Sequence, residues 1–300
     1  MRLLLLGANG QVGHALRREL APLGEVVCTT RSGTLPDGTA CERADFDQPS
    51  TLPALVERIA PDVVVNAAAY TAVDRAEEER DAAFRANAEA PAALAEACAR
   101  RDALLVHYST DYVFDGNGTR PWREDDATAP LGVYGASKLA GEDAVRGSAA
   151  RHMVFRTAWV YGAHGHNFMR TMLRLGADRD ELRVVADQVG TPTPARLIAQ
   201  ATAQALAADP GANGLWHLTA AGSTSWHGFA EAIFAGAQAR GLLPKAPRVL
   251  PIATSEYPTP ARRPAYSCLD IGRMQADFAI RLPDWEQALS GVLDGMAVAG

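Results

Sequence analysis

The chain has 300 residues, 48% of them hydrophobic, enough to bury a substantial core in one large or two smaller domains. A net charge of −6 leaves no basic footprint for nucleic acid or for an anionic membrane surface, which argues against both as partners. Four scattered cysteines, Cys28, Cys41, Cys98 and Cys268, have neither the paired spacing of a zinc site nor the density of a disulfide framework, so they read as reduced thiols of a cytoplasmic protein.

The elements then follow in chain order. The apolar run Leu3 to Leu6 is a short strand, and it reaches Gly7 too soon for a signal peptide or a membrane span. Gln11 to Leu20 is an amphipathic helix with Val12, Leu16 and Leu20 on one side. Glu25 to Thr29 is the second strand, Thr51 to Ala60 is helical, and Asp62 to Asn66 has the continuous aliphatic character of a buried parallel strand. The alanine-rich stretch Ala82 to Arg101 is the longest expected helix. Ala103 to Tyr108 is a strand that ends at Ser109, a helix carries Tyr134, and His152 to Arg156 is one more strand.

Alternating β and α segments of this length build an α/β fold, a Rossmann-type doubly wound parallel sheet with helices on both faces. Beyond it lie short helices and proline-bearing loops such as 190–194 and 257–260. No repeat or linker separates the two parts. The expected division is a dinucleotide-binding domain over residues 1–160 and a smaller, mainly substrate-binding lobe over 161–300, with a soft, interleaved boundary. A cleft between such parts is a common place for a substrate.

Gly7-Ala8-Asn9-Gly10-Gln11-Val12-Gly13 follows the first strand and opens the first helix, the context in which a glycine fingerprint holds a dinucleotide. The first glycine allows the tight turn, Gly10 lets pyrophosphate approach the backbone, and Gly13 lets helix pack on strand. The phosphates would sit at the helix's positive end. After the second strand the chain reads Thr29-Thr30-Arg31-Ser32, with no acid to hold the adenosine ribose. Arg31 and the hydroxyls suit a 2′-phosphate, which favours NADPH over NADH. Asp45 and Phe46 are placed to touch adenine, and Ala67, Ala68 and Ala69 leave room for a cofactor at the end of the fourth strand.

Tyr134 and Lys138 sit four residues apart, a spacing that puts both side chains on one helix face. An ammonium there would lower the phenol's pKa and make it a usable proton donor to a carbonyl. Thr110, at the carboxyl end of a strand, would orient the substrate oxygen, with Ser109 as its rival; Asp111 either meets the substrate or caps a turn. Lys138 would also bind the nicotinamide ribose. His164 and His166 lack a third ligand and read as polar surface, so no metal is expected there. Arg262 and Arg263 suit a nucleotide diphosphate. Trp216, Trp226 and Trp285 are expected in the core.

Gly7 to Gly13, Asn66 to Asp74 (NAAAYTAVD) and Tyr108 to Gly116 (YSTDYVFDG) resemble the extended short-chain dehydrogenases/reductases, and within them the dTDP-4-dehydrorhamnose reductase family. Residues 156–162, 187–193 and 261–267 carry the likeness to nearly the whole chain. The resemblance implies reduction of dTDP-4-dehydro-L-rhamnose to dTDP-L-rhamnose with NADPH or NADH. It also implies catalysis by Thr110, Tyr134 and Lys138, with Asp111 and Trp159 against the sugar. Other outcomes on this scaffold are a different sugar-nucleotide reductase or epimerase, or a catalytically silent regulatory subunit. Some members of the family form dimers held by magnesium through acidic side chains. Here the first helix runs His14-Ala15-Leu16-Arg17 and Arg196 follows Thr193, which argues against that metal and leaves a homodimer to other contacts.

Overall fold

The computed structural model describes residues 1–299. Seven parallel strands form one sheet, and six of them are numbered here: β1 (Arg2–Leu6), β2 (Glu25–Thr30), β3 (Glu42–Arg43), β4 (Val63–Asn66), β5 (Leu104–Thr110) and β6 (His152–Thr157). The seventh, Gly214–His217, comes from the second half of the chain and pairs with β6. The spatial order is Gly214–His217, β6, β5, β4, β1, β2, β3. The direction in which successive strands are added therefore reverses between β1 and β4, and in an open sheet a ligand binds beyond the carboxyl ends at that switch.

Alternation along the strands supplies both faces of the sheet. Leu3, Leu5, Val63 and Val65 pack with Leu16 and Ile198 on one face. Leu4, Leu6 and Val64 pack with Leu52, Val56 and Leu94 on the other. Leu3 to Leu6 are fully buried, and each such side chain contributes about 1.5–3 kcal/mol. The helices that flank the sheet are α1 (Gln11–Glu19), α2 (Leu52–Ile59), α3 (Val73–Ala76), α4 (Arg80–Phe84), α5 (Ala90–Arg101) and α6 (Val133–Arg146).

The single helix expected over 82–101 is instead α4, a π-helical turn Arg85–Glu89, and α5. The wider turn faces Asn87 inward, where its carboxamide bonds both backbone atoms of Tyr70 and, at 3.0 Å, the Ser137 hydroxyl on α6. Periodicity alone does not register one extra residue in a turn.

The second lobe has its own core, with Tyr161, Met169, Phe229, Phe234 and Trp285 among its buried residues. A parallel pair, Glu181–Val185 with Arg248–Ile252, lies beside helices Phe168–Asp178 and Trp226–Ala239. Helix Ala195–Ala208 returns to α1 and contributes Ile198, Ala199 and Leu206 to the core of the first sheet. Among the described residues no helix is long and apolar enough to cross a membrane.

Candidate active site

The glycine loop lies at the switch point. Gly7 has φ +76°, and a Cβ there would stand 2.8 Å from the Ala68 nitrogen, so the loop after β1 and the alanines after β4 approach as closely as backbone allows. At Gly13 a Cβ would be 2.0 Å from the Gly7 carbonyl oxygen, which explains the need for glycine where α1 crosses β1. Asn9 and Gly10 are exposed, Gln11 and Val12 half-buried, and Gly10 is the N-cap of α1. Ala67 and Ala68 are half-buried and Ala69 exposed, so all of these positions border open space at the sheet's carboxyl edge. Asn66 fixes the turn, accepting from Ala68 N at 3.2 Å while its amide meets His107 Nδ1 at 3.1 Å.

Arg31 follows β2 with its side chain 69% exposed, 3.6 Å from Asp45 and 3.5 Å from Asp47. The exposed guanidinium is held loosely by these two acids. Phe46 is buried beneath.

Thr110 ends β5 in register with Thr157 of β6. It is buried and donates to Asp111 Oδ1 at 3.0 Å, and its hydroxyl favours the ionised form of the Tyr134 phenol. Tyr134 is the second residue of α6, and its ring meets Tyr112 edge-on at 5.6 Å. Burial pushes the phenol up to about 12, with the Asp111 charge adding to the shift and the Thr110 hydroxyl opposing it. Asp111 is itself pushed up to about 6 by burial, although the Ser267 and Thr110 hydroxyls favour its carboxylate. Asp111 Oδ2, Ser109 Oγ and Thr157 Oγ1 are buried without a hydrogen-bond partner among the described residues. Such orphaned polar atoms at the mouth of a sheet are what a polar ligand satisfies.

Lys138 corrects one expectation. Its ammonium donates to the Tyr108 carbonyl oxygen at 2.5 Å, and the Tyr134 phenol is raised by its own burial rather than lowered. Lys138 is in turn pulled down to about 8 by burial, with Glu142 one turn further on holding it up. Glu142 and Arg156, both buried, form a two-pronged ion pair at 2.9 and 2.6 Å that fastens α6 to β6.

The two arginines expected at the diphosphate part company. Arg263 spends its fork on Asp74, with both contacts at 2.8 Å, and is a structural tie. Arg262 is exposed and forms no ion pair among the described residues. Trp159, two residues beyond β6, has φ +45° and stacks on Trp226 at 3.5 Å and 4°. Trp216 and Trp285 are core residues as expected, but half-buried Trp226 belongs to this stack. Nothing local in the sequence joins Trp159 to Trp226, because only tertiary folding brings them together. Asn66, Asn87, Tyr112 and Glu142 were likewise not singled out for the site, and each is a common residue type whose role depends on a partner distant in sequence.

The positions on α1 and after Thr193, where the resemblance would put acidic magnesium ligands, line a groove with His14, Arg18, Glu19, His164 and Arg196. His14 stacks against His164 at 4.6 Å, and Arg196 lies 3.7 Å from Glu19. A donor set this cationic does not fit magnesium. The dinucleotide does fit, since the glycine cradle lies against the small residues after β4 and the unpartnered Ser109, Asp111 and Thr157 oxygens sit at the carboxyl ends of β5 and β6.

A parallel sheet with a glycine loop at its switch point, and a Thr-Tyr-Lys set on β5 and α6, defines an extended short-chain dehydrogenase/reductase. The chain matches the family described as RmlD substrate binding domain over residues 1–298. It is 51% identical over 298 residues to a dTDP-4-dehydrorhamnose reductase of Burkholderia thailandensis, covering 96% of this chain and 97% of that protein. A relative of the same name from Escherichia coli (strain K12) is 46% identical over 297 residues, covering 98% and 97%. The chain belongs to the dTDP-4-dehydrorhamnose reductase family. A solved dTDP-4-dehydrorhamnose reductase from Clostridium acetobutylicum superposes with a TM-score of 0.89 at 36% identity, over 99% of both chains. One from Bacillus anthracis, in complex with NADP, also gives 0.89, at 34% identity over 98% of this chain and 99% of that one. A UDP-glucose 4-epimerase of Thermus thermophilus, 21% identical, shares the fold at 0.81.

Proposed function

We propose that this chain reduces the 4-keto group of dTDP-4-dehydro-L-rhamnose to the alcohol of dTDP-L-rhamnose with NADPH, and that Tyr134 donates the proton. The observation that carries the reading is the buried set at the carboxyl edge of the sheet: a protonated phenol influenced by the Thr110 hydroxyl, with Lys138 one turn along the same helix. A reduced nicotinamide in the cleft supplies the hydride to the carbonyl carbon. Tyr134 gives its proton to the carbonyl oxygen, and Thr110 holds that oxygen in place. Lys138 supplies the positive charge that the resulting phenolate requires, and it binds the ribose hydroxyls.

In this reading Gly7, Asn9, Gly10, Gln11, Val12 and Gly13 cradle the pyrophosphate, and Arg31 meets the 2′-phosphate. Asp45 and Phe46 border the adenine, and Ala67, Ala68 and Ala69 lie along the cofactor. Asp111 and Trp159 line the sugar, and Arg262 is the free cation for the diphosphate. Residues 1–160 supply the cofactor side and 161–300 mainly the substrate side. A cytoplasmic location suits a protein with four free thiols that draws on a nicotinamide pool. We take it to work without magnesium, as a monomer or as a homodimer formed by other contacts.

The experiment is turnover of NADPH with dTDP-4-dehydro-L-rhamnose by the wild type and by Tyr134→Phe. The variant should bind NADPH normally and lose about 10²–10⁴-fold in kcat. Full activity in Tyr134→Phe removes the phenol from the chemistry, and no turnover by the wild type removes the reaction. Lys138→Ala should weaken both cofactor affinity and rate.

A further inference from the structure

Short helix α3 and the residue after it hold two parts of the molecule that the proposed reaction brings together. Glu77 accepts the backbone N–H of Val133 through Oε1 at 2.9 Å. Val133 is the first residue of α6, and its N–H is one of those a helix leaves without an intrahelical partner. The N-cap, Gly132, has no side chain to serve as acceptor, so a carboxylate from elsewhere in the chain caps the helix. Negative charge at that end also suits the helix dipole. A Cβ on Gly132 would stand 2.6 Å from Glu77 Oε1, so the bare glycine is what admits the carboxylate.

Three residues earlier, Asp74 takes both prongs of Arg263 and also the amide of Ala261 at 3.2 Å. Arg263 adds bonds to Thr259 Oγ1 at 3.0 Å and to the Ala261 carbonyl at 2.9 Å, so the arm 259–263 is folded around one guanidinium. The arm continues to Ser267, whose amide bonds Val189 O at 2.8 Å and whose hydroxyl faces Asp111. One mount therefore carries the first turn of the helix that bears Tyr134 and the strand-like arm that ends at Asp111.

We propose that Glu77 is a positioning residue for Tyr134: its carboxylate fixes the first turn of α6, and with it the phenol against Thr110. The proposal rests on Tyr134 as proton donor. Tyr134 is the second residue of α6, whereas the Glu142–Arg156 clamp lies more than two turns further on, so the end that carries the phenol depends on its cap.

The test compares Glu77→Ala with Glu77→Gln, which keeps an acceptor oxygen without the charge. Steady-state kinetics with NADPH and dTDP-4-dehydro-L-rhamnose, NADPH titration by fluorescence, and hydrogen exchange at the Val133 amide are read on both. Glu77→Ala should lower kcat by about tenfold or more, because a small misplacement of a reacting group is costly, while NADPH affinity changes little. Val133 exchange should accelerate in the same variant. Glu77→Gln should recover most of kcat and of the protection. Unchanged kcat in Glu77→Ala, or a Glu77→Gln that falls as far, overturns the proposal. A wild type that leaves NADPH unoxidised overturns the reaction itself, and a Val133 amide equally protected in Glu77→Ala overturns the cap, so the two failures are told apart.

Discussion

Burial moves Tyr134 and Lys138 in directions that serve reduction. The phenol, up to about 12, stays protonated throughout the neutral range, and the ammonium, down to about 8, stays charged below that pH. The proposed proton donor and its cation are thus both in the required state near pH 7. The acid Asp111, up to about 6, is a carboxylate above that pH and then accepts the Thr110 hydroxyl at 3.0 Å. Below about 6 it holds its own proton and Thr110 loses that acceptor. The free enzyme should accordingly show a bell-shaped kcat/KM, rising through about pH 6 as Asp111 ionises and falling above about pH 8 as Lys138 loses its proton. Asp111→Asn should flatten the acidic limb and leave the alkaline one. An alkaline limb that begins only above about pH 10 would assign it to the phenol and reverse this order. The Tyr-Lys spacing was legible in the sequence because it is a local property of one helix. The direction of the phenol's shift was not, because desolvation depends on everything packed around Tyr134.

At the level of elements, β1, β4 and β5 were legible because strands buried on both faces read as unbroken aliphatic runs, and α1 because its apolar stripe recurs at helical spacing. The π-turn at Arg85–Glu89 escaped because its residues continue the same alanine-rich pattern. Its consequence shows at Gly141 on α6, where a Cβ would lie 1.9 Å from the Asn87 carbonyl oxygen. The glycine in Leu139-Ala140-Gly141-Glu142 therefore marks a backbone crossing, although in the sequence it looks only like a weak helix former. Alanine at 141 would gain about 1 kcal/mol of helix propensity. Against that, overlap with a backbone oxygen cannot be relieved by a rotamer change, and overpacking of this kind costs about 1–3 kcal/mol, more where the clash is severe. The overlap wins. Gly141→Ala should lower the urea midpoint, and by pushing Asn87 from Ser137 it should reduce kcat as well. A midpoint equal to or above wild type would show that the two helices separate freely.

Across the whole molecule, the proposed division at residue 160 would separate cofactor from substrate contacts, while the packing runs across it. Strand Gly214–His217 completes the sheet beside β6, and helix Ala195–Ala208 lies on α1 in the first core. Arg263 reaches back to Asp74, and Trp226 covers Trp159. Removing the second half would strip one edge of the sheet and expose Ile198 and Leu206 partners such as Leu16, so the first half keeps no complete core alone. The chain should therefore unfold as one cooperative unit despite its length, in contrast to multidomain chains whose parts melt separately. The stacked indoles report directly on the junction, because two parallel rings at 3.5 Å couple their transitions and give a paired band in circular dichroism that Trp226→Phe removes. In urea that band should vanish at the same midpoint as the far-ultraviolet helix signal, and the calorimetric and van't Hoff enthalpies should agree. Loss of the indole band well before the helix signal would mean that the lobe detaches while the sheet survives. The returning strand would then be an ornament on an independent first domain, and the substrate side of the cleft could open without disturbing Tyr134.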